Sequence, residues 1–227
     1  MINIFGAVIN FIFNPAYSLN MKIRRNVAKN LSRKKRTLDF GCGTCIHADC
    51  VEPQYYIGVD VEDRRGPESS EVKHIVYSGN NLSSLKLGKV EQILCLEVLE
   101  HISEYEKALS ELTNTLVPGG IMVISVPFIW PEHETPNDFN RFTIYGLSEL
   151  LLKHNCEILE CKKIGFATLT LFTLSIRNIL RSILGRNISI LLCAGLSIIC
   201  NILNLLNRSQ HAALYTNTIV VVQKIDT

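Results

Sequence analysis

The chain has 227 residues, enough for one domain of ordinary to large size. A hydrophobic fraction of 47%, a charged fraction of 19% and a mean hydropathy of +0.19 exclude a disordered polyelectrolyte, and a net charge of +2 gives no sign of a polyanionic partner. Cysteines at 42, 45, 50, 95, 156, 161, 193 and 200 lie mostly in apolar runs, and the opening MINIFGAVINFIFNPAY lacks a basic start and a small-residue cleavage site. The expected compartment is therefore a reducing cytoplasm, without a disulfide framework.

Residues 1–13 are apolar, and residues 22–36 then carry eight basic side chains and no acid. This start reads either as an interfacial segment on an anionic bilayer, at the inner face of the cell membrane, or as a helix packed on the domain with a solvated basic face. From residue 37 short apolar runs alternate with helical patterns. Strands are expected near 37–40, 56–60, 72–77, 92–96 and 121–126, with helices between several of them, which implies a parallel sheet covered on both faces. Leu109, Leu112 and Leu116 recur at helical spacing within 104–116, and Pro118-Gly119-Gly120 is expected to stop that helix. A second helix at about 144–154 opens after Thr143 as its cap and turns Leu147, Leu150 and Leu151 inward. Strands at 156–163 and 218–224 close the order.

Between those last two strands lies an apolar insertion, 166–206, whose stretch 188–206 contains no charge and is just long enough to span a bilayer. A single crossing would strand the final strand on the wrong side, so a helical hairpin, 166–184 then 188–206, is expected. Arg177, Arg181 and Arg186 would sit near an interface. The alternative is an apolar cover for the domain or for a second subunit, as in a homodimer.

The segment TLDFGCGTC at 37–45 is a strand ending in a glycine turn, where Gly41 and Gly43 let backbone approach a ligand. YYIGVD puts Asp60 at the tip of the next strand, 21 residues after Asp39, where a carboxylate can accept both hydroxyls of a ribose. Cys42 and Cys45 also spell CxxC, but no second ligand pair follows at zinc spacing, so no metal site is read there.

LDFGCGT at 38–44, GVD at 58–60, LCLEVLEH at 94–101, LVPGGIMVISVP at 116–127 and EHETPNDFNRFTIYGLSELL at 132–151 fall in one order over about 37–165. In them the sequence resembles the class I S-adenosylmethionine-dependent methyltransferases, specifically the type 11 methyltransferase-domain group. The resemblance implies a Rossmann-like, doubly wound, mostly parallel seven-stranded α/β sheet, with strand 218–224 antiparallel beside 121–126 and 156–163. The domain would run over 37–227, preceded by the segment 1–36. It further implies S-adenosylmethionine as cofactor, with Gly41 and Gly43 behind its methionine part and Asp60 on its ribose. Leu96 and Glu97 would flank the sulfonium, and Asp39 belongs to the same cofactor-binding set. Cys45, Ser78 and Gln92 depart from the pattern: a third glycine, an acid and an aspartate are usual there.

Candidate bases are His101, His133, Glu134 and Asp138. His133 comes first, because it lies in the polar loop after the fifth strand, on the ligand side of the sheet. His101 reads as a capping or packing residue, and Arg141 as a partner that fixes Asp138. The expected reaction is methylation of a hydroxyl on a small molecule, glycan or lipid-linked sugar. A second reading is a membrane-associated or dimer-forming binding protein whose cofactor site has decayed. Nucleic-acid modification ranks last, since the basic run lacks interleaved aromatics.

Overall fold

Seven strands pair into one sheet in the computed structural model, which describes residues 4–65, 71–77, 82–206 and 213–225. They are β1 (Thr37–Phe40), β2 (Tyr56–Asp60), β3 (Lys73–Val76), β4 (Val90–Leu96), β5 (Leu116–Pro127), β6 (Cys156–Ile164) and β7 (Asn217–Lys224), in the spatial order β3-β2-β1-β4-β5-β7-β6. The first five are mutually parallel. β7 opposes β6: the Thr216 N–H donates to the Ile164 carbonyl and the Ile225 N–H to that of Asn155. Lys224 and Gln223, at the end of β7, reach the Leu116 and Gly119 carbonyls at the start of β5, so β7 is antiparallel there too, as the resemblance implied.

Central position makes β4 apolar on both faces. Ile93, Leu94, Met122 and Ile124 are fully buried, and α3 (Tyr105–Thr115) adds Leu109 and Leu112 to the core. α4 (Ile144–Lys153) starts where expected, its Thr143 hydroxyl accepting from the Gly146 N–H, and buries Leu147, Leu150 and Leu151. Two details differ from the sequence reading. Pro118-Gly119-Gly120 does not precede the strand but forms an irregularity inside β5, where Val90 pairs with Leu116 and Gln92 already with Ile121. Between β1 and β2 no α-helix forms. Short 3-10 turns at Ala48–Cys50 and Pro53–Tyr55 pack instead beside a cluster of Cys42, Cys45, Val51, Tyr56 and Val72.

Gln92 turns out to be a structural tie. Its amide accepts from the Ser32 N–H at 2.6 Å and donates to the Ser32 carbonyl at 2.9 Å and to the Thr37 hydroxyl at 2.8 Å. This fastens the approach to β1. Ser78 lies outside the described residues.

The chain divides into two compact units. The sheet belongs to one, made of residues 25–128, 132–162 and 218 onward. The other contains residues up to 24, 129–131 and 163–217. Here α1 (Ile4–Phe13) packs on α7 (Ala194–Leu206), with α5 (Ala167–Leu184) and α6 (Arg186–Leu192) beside it. The expected second helix of the hairpin is thus two helices, bent by 55° at Cys193. No single helix among the described residues is long and apolar enough to cross a membrane, although the bent pair together meets that length and composition.

This helical unit is polar inside and apolar outside. α7 buries Ser197, Cys200, Asn201 and Asn204 while Ile199, Ile202, Leu203 and Leu206 are exposed. Asn201 accepts from the Ser18 N–H and donates to the Phe11 and Asn14 carbonyls; Asn204 accepts from the Phe166 N–H at 2.6 Å. α5 repeats the pattern, with Ala167, Thr170 and Thr173 inward and Ile179 and Ile183 outward.

Replacing Gln92 with alanine removes three hydrogen bonds at one point. Denaturant unfolding of Gln92→Ala is expected to show a loss of about 1–3 kcal/mol, and an unchanged midpoint would deny the tie.

Candidate functional site

At the carboxyl ends of β1 and β2 the backbone makes a tight loop. The Gly41 and Cys42 N–H groups both donate to the Val59 carbonyl, at 2.8 and 3.2 Å. The Asp60 carboxylate accepts from the Gly43 N–H at 2.7 Å and from the Val61 N–H at 2.8 Å. The two glycines are required for different reasons. Gly41 has φ +73°, and a β-carbon there would come within 2.3 Å of Val98 Cγ2. Gly43, at φ +53°, would meet nothing within 4 Å.

That open space is a cavity of about 560 Å³, within the roughly 300–1,000 Å³ typical of small-molecule and cofactor sites. Gly41, Gly43, Asp60 and Glu97 line it, as do the candidate bases His101 and Glu134, together with Phe40, Tyr77, Arg64, Asn137 and Phe139, which the sequence did not single out. A nucleotide-like cofactor fits this lining: backbone stands clear at Gly43, and each Asp60 oxygen accepts from one backbone N–H and keeps further acceptor capacity. Glu97 takes a left-handed backbone, φ +55°, held by its N–H on the Ser125 carbonyl and by the Ser125 hydroxyl on its carboxylate at 2.6 Å.

Two residues of the expected cofactor set do not line the cavity. Leu96 sits half-buried on β4, paired in register with Ser125. Asp39 is turned inward, where the Tyr56 hydroxyl donates to it at 2.5 Å; burial pushes its carboxyl up to about 7, against the pull of that hydrogen bond. Cys45, at φ +58°, keeps the backbone form of the glycine it replaces and points its thiol into the cysteine cluster, away from the cavity. Gly58 is small because its β-carbon would meet the Cys42 and Cys45 sulfurs at 2.8 and 3.3 Å. Burial holds the Cys42 thiol far above its ordinary range, and both residues of the CxxC pair are packed in this apolar cluster.

Beyond the cavity wall the LEH segment meets the loop after β5. His133 does not line the cavity itself; it stands against His101, which does, with ring centroids 4.7 Å apart. The His101 Nδ1 lies 2.6 Å from the Asn137 carbonyl, and the His133 Nδ1 3.3 Å from Asp138 Oδ2. Arg141 pairs with Asp138 through two bonds, 2.5 and 2.6 Å, and holds that carboxyl well below the usual carboxylate range. Beside both imidazoles lies Glu100, fully buried, with neither carboxyl oxygen hydrogen-bonded in the described structure. Burial, with Glu97 adding to it, pushes this carboxyl up to about 8. Sequence reasoning missed Glu100, although a carboxylate beside a histidine at a strand end was the available signal.

Two measurements test these roles. Asp39 keeps a proton in the folded chain that an unfolded carboxyl near 3.9 gives up. Its contribution is therefore most favourable below pH 4, is lost as pH rises toward 7, and is constant above. Asp39→Asn is expected to reduce the stability difference between pH 4.5 and pH 8 by an amount on the order of 1–4 kcal/mol, read from urea midpoints. Gly41→Ala should lower the melting temperature sharply through the Val98 clash, while Gly43→Ala costs only about 1 kcal/mol of backbone strain. Equal destabilisation would contradict the assignment of Gly43 to the cavity.

The sequence matches the methyltransferase domain family model over residues 16–158, well over half of the chain. None of the curated proteins compared matches it. Among solved structures it is similar to the [4+2]-cyclase SpnF, with TM-score 0.62, 18% identity, and 93% of this chain and 83% of that one covered. It is also similar to coclaurine N-methyltransferase bound to S-adenosylhomocysteine, with TM-score 0.56, 11% identity and coverage of 92% and 71%. A third, the StiE O-methyltransferase segment, gives TM-score 0.56, 11% identity and coverage of 96% and 81%. At these identities the neighbours speak for the fold alone. The family match, over the loop and cavity just described, establishes that the chain belongs to the methyltransferase domain family, with S-adenosylmethionine as its cofactor.

Proposed function

We propose that the protein methylates a hydroxyl group of a small molecule, glycan or lipid-linked sugar. The observation that carries this reading is the His101–Glu100–His133 cluster beside the cavity. A hydroxyl must lose a proton on methylation, and this is the part of the site equipped to handle one. S-adenosylmethionine supplies an electrophilic methyl group on a sulfonium. Asp60 and the Gly41–Gly43 backbone would hold it, and Glu97 would stand on the reacting side. A carbonyl can only accept, so His101 carries its proton on Nδ1; the ionised Asp138 fixes the same tautomer on His133. Both Nε2 atoms are then acceptors. The acceptor's O–H proton passes to this pair, with Asp138 stabilising the imidazolium on His133, as the hydroxyl oxygen takes the methyl group.

The helical unit favours a place for this reaction. Its inverted polarity, with amides and hydroxyls inward and leucine and isoleucine outward, suits a unit whose outer face meets lipid. Arg177, Arg181 and Arg186 line a cavity of about 190 Å³ on the same unit and suit anionic headgroups. The basic run at 22–36 contributes less than its sequence suggests, because Lys29 pairs with Glu160 and Arg33 with the Asp49 carbonyl. The reading is a cytoplasmic enzyme peripheral to the inner face of the cell membrane. A deletion of 166–206 is a poor test, since α1 is built against α7.

Calorimetry with S-adenosylmethionine is expected to show about tenfold to hundredfold weaker binding in Asp60→Ala, corresponding to about 1.5–3 kcal/mol. Labelled methyl should pass to a panel of sugars, glycosides and phenols; transfer confined to amines overturns the hydroxyl reading. The full chain should co-sediment with anionic vesicles more than with zwitterionic ones, and Ile183→Asp should reduce this. Equal recovery with both vesicle types, or a homodimer indifferent to vesicles, removes the membrane reading.

A further inference from the structure

The cluster that faces the hydroxyl's proton has the composition and the supports of a metal centre. Glu100 Oε1 lies 3.7 Å from His101 Nε2 and 3.9 Å from His133 Nε2, and the three donor atoms all fall within 4.8 Å of one another. The 3.7 and 3.9 Å separations are too long for direct hydrogen bonds between carboxyl and imidazole. They are a few tenths of an ångström wider than the roughly 3.3 Å that separates donors around a tetrahedral zinc ion with bonds near 2.0–2.1 Å. Small rotations of the two rings would close that difference.

The second observation is Glu100 itself. Its side chain is fully buried, both oxygens lack a hydrogen-bond partner in the described structure, and its Oε1 approaches the Nε2 atoms of both imidazoles. A buried carboxyl left unsatisfied is costly, and a cation bound at this point removes the cost. The third is the outer support. His101 is oriented through its Nδ1 by the Asn137 carbonyl, and His133 through its Nδ1 by Asp138, which Arg141 pins. Ligand histidines are held in this manner, with the far ring nitrogen committed to a carbonyl or carboxylate and Nε2 presented to the ion.

We infer that Glu100, His101 and His133 form a binding site for a divalent transition-metal ion of the zinc class, at the wall of the methyl-transfer cavity. One carboxylate and two imidazoles suit such an ion better than magnesium or calcium, which take oxygen donors. Three protein ligands leave at least one position for an acceptor oxygen, and His101 lines the cavity in which that oxygen would lie. His133 would then serve as a ligand, and the ion rather than a free imidazole would raise the acidity of the acceptor hydroxyl, whose proton would leave to solvent. The use of the ion in this way rests on the hydroxyl reading; its binding does not.

The experiment titrates untagged, chelator-stripped full-length protein with zinc and with manganese by calorimetry, and measures metal content as purified. One zinc ion per chain is expected, bound at least tenfold more tightly than manganese. His133→Ala should weaken zinc binding at least a hundredfold, and Asp138→Asn about tenfold to hundredfold. Glu100→Gln should behave as His133→Ala; should its fold be lost by circular dichroism, the half-exposed His133 carries the test alone. A wild-type chain that binds no zinc, or a folded His133→Ala chain that binds it as well as wild type, overturns the site. Zinc bound as expected in a protein that methylates only amines upholds the site and removes the hydroxyl reading.

Discussion

The site depends on a backbone clamp between two neighbouring parallel strands. The Val59 carbonyl accepts two N–H groups from the turn that leaves β1, and the next residue, Asp60, closes the turn through Gly43. Only glycine at position 41 lets Val98 pack against this turn from the end of β4. Three strand ends are thereby fixed to one another, and the cavity is the space they leave. The Asp60 carboxylate orders this loop and also lines the cavity.

A second anchor sits one strand further on. The Glu100 backbone carbonyl accepts from the Phe139 and Asn140 N–H groups, which ties the loop after β5 to the end of β4. The side chain of the same residue faces both histidines. One short segment therefore sets both the position of the loop and the chemistry that the loop completes.

Much of this was legible in the sequence because the sheet is built from local patterns. Short apolar runs placed every strand, although β5 begins at Leu116, ahead of the run that marked it, and Thr143 placed the start of α4. Gly41, Gly43, Asp60 and Glu97 could be placed at the cavity since strand ends face ligands in such sheets. What was not legible depends on partners distant in the chain. Asp39 resembles a ligand-facing acid until Tyr56 is seen to claim it, and Gln92 resembles a lost aspartate until Ser32 is found bonded to its amide. The break at Cys193 falls in a run without proline, so composition there predicts one helix where packing makes two. The inward direction of Asn201 and Asn204 likewise follows from carbonyls and amides at residues 11–18 and 166.

The inverted helices also set how this unit would tolerate sequence change. In an ordinary helix packed on a core, the inward apolar positions are restricted and the outward polar ones drift. Here the inward positions are amides and hydroxyls bonded to specific backbone groups, so Asn201 cannot become leucine without losing its bonds to the Ser18 N–H and the Phe11 and Asn14 carbonyls. Outward positions such as Ile199, Leu203 and Leu206 make no such directional demand and could exchange among aliphatic residues at little cost to the fold. Mutational scanning of α7 would then give a map with its usual polarity reversed: the intolerant stripe is hydrophilic, and the permissive one is greasy.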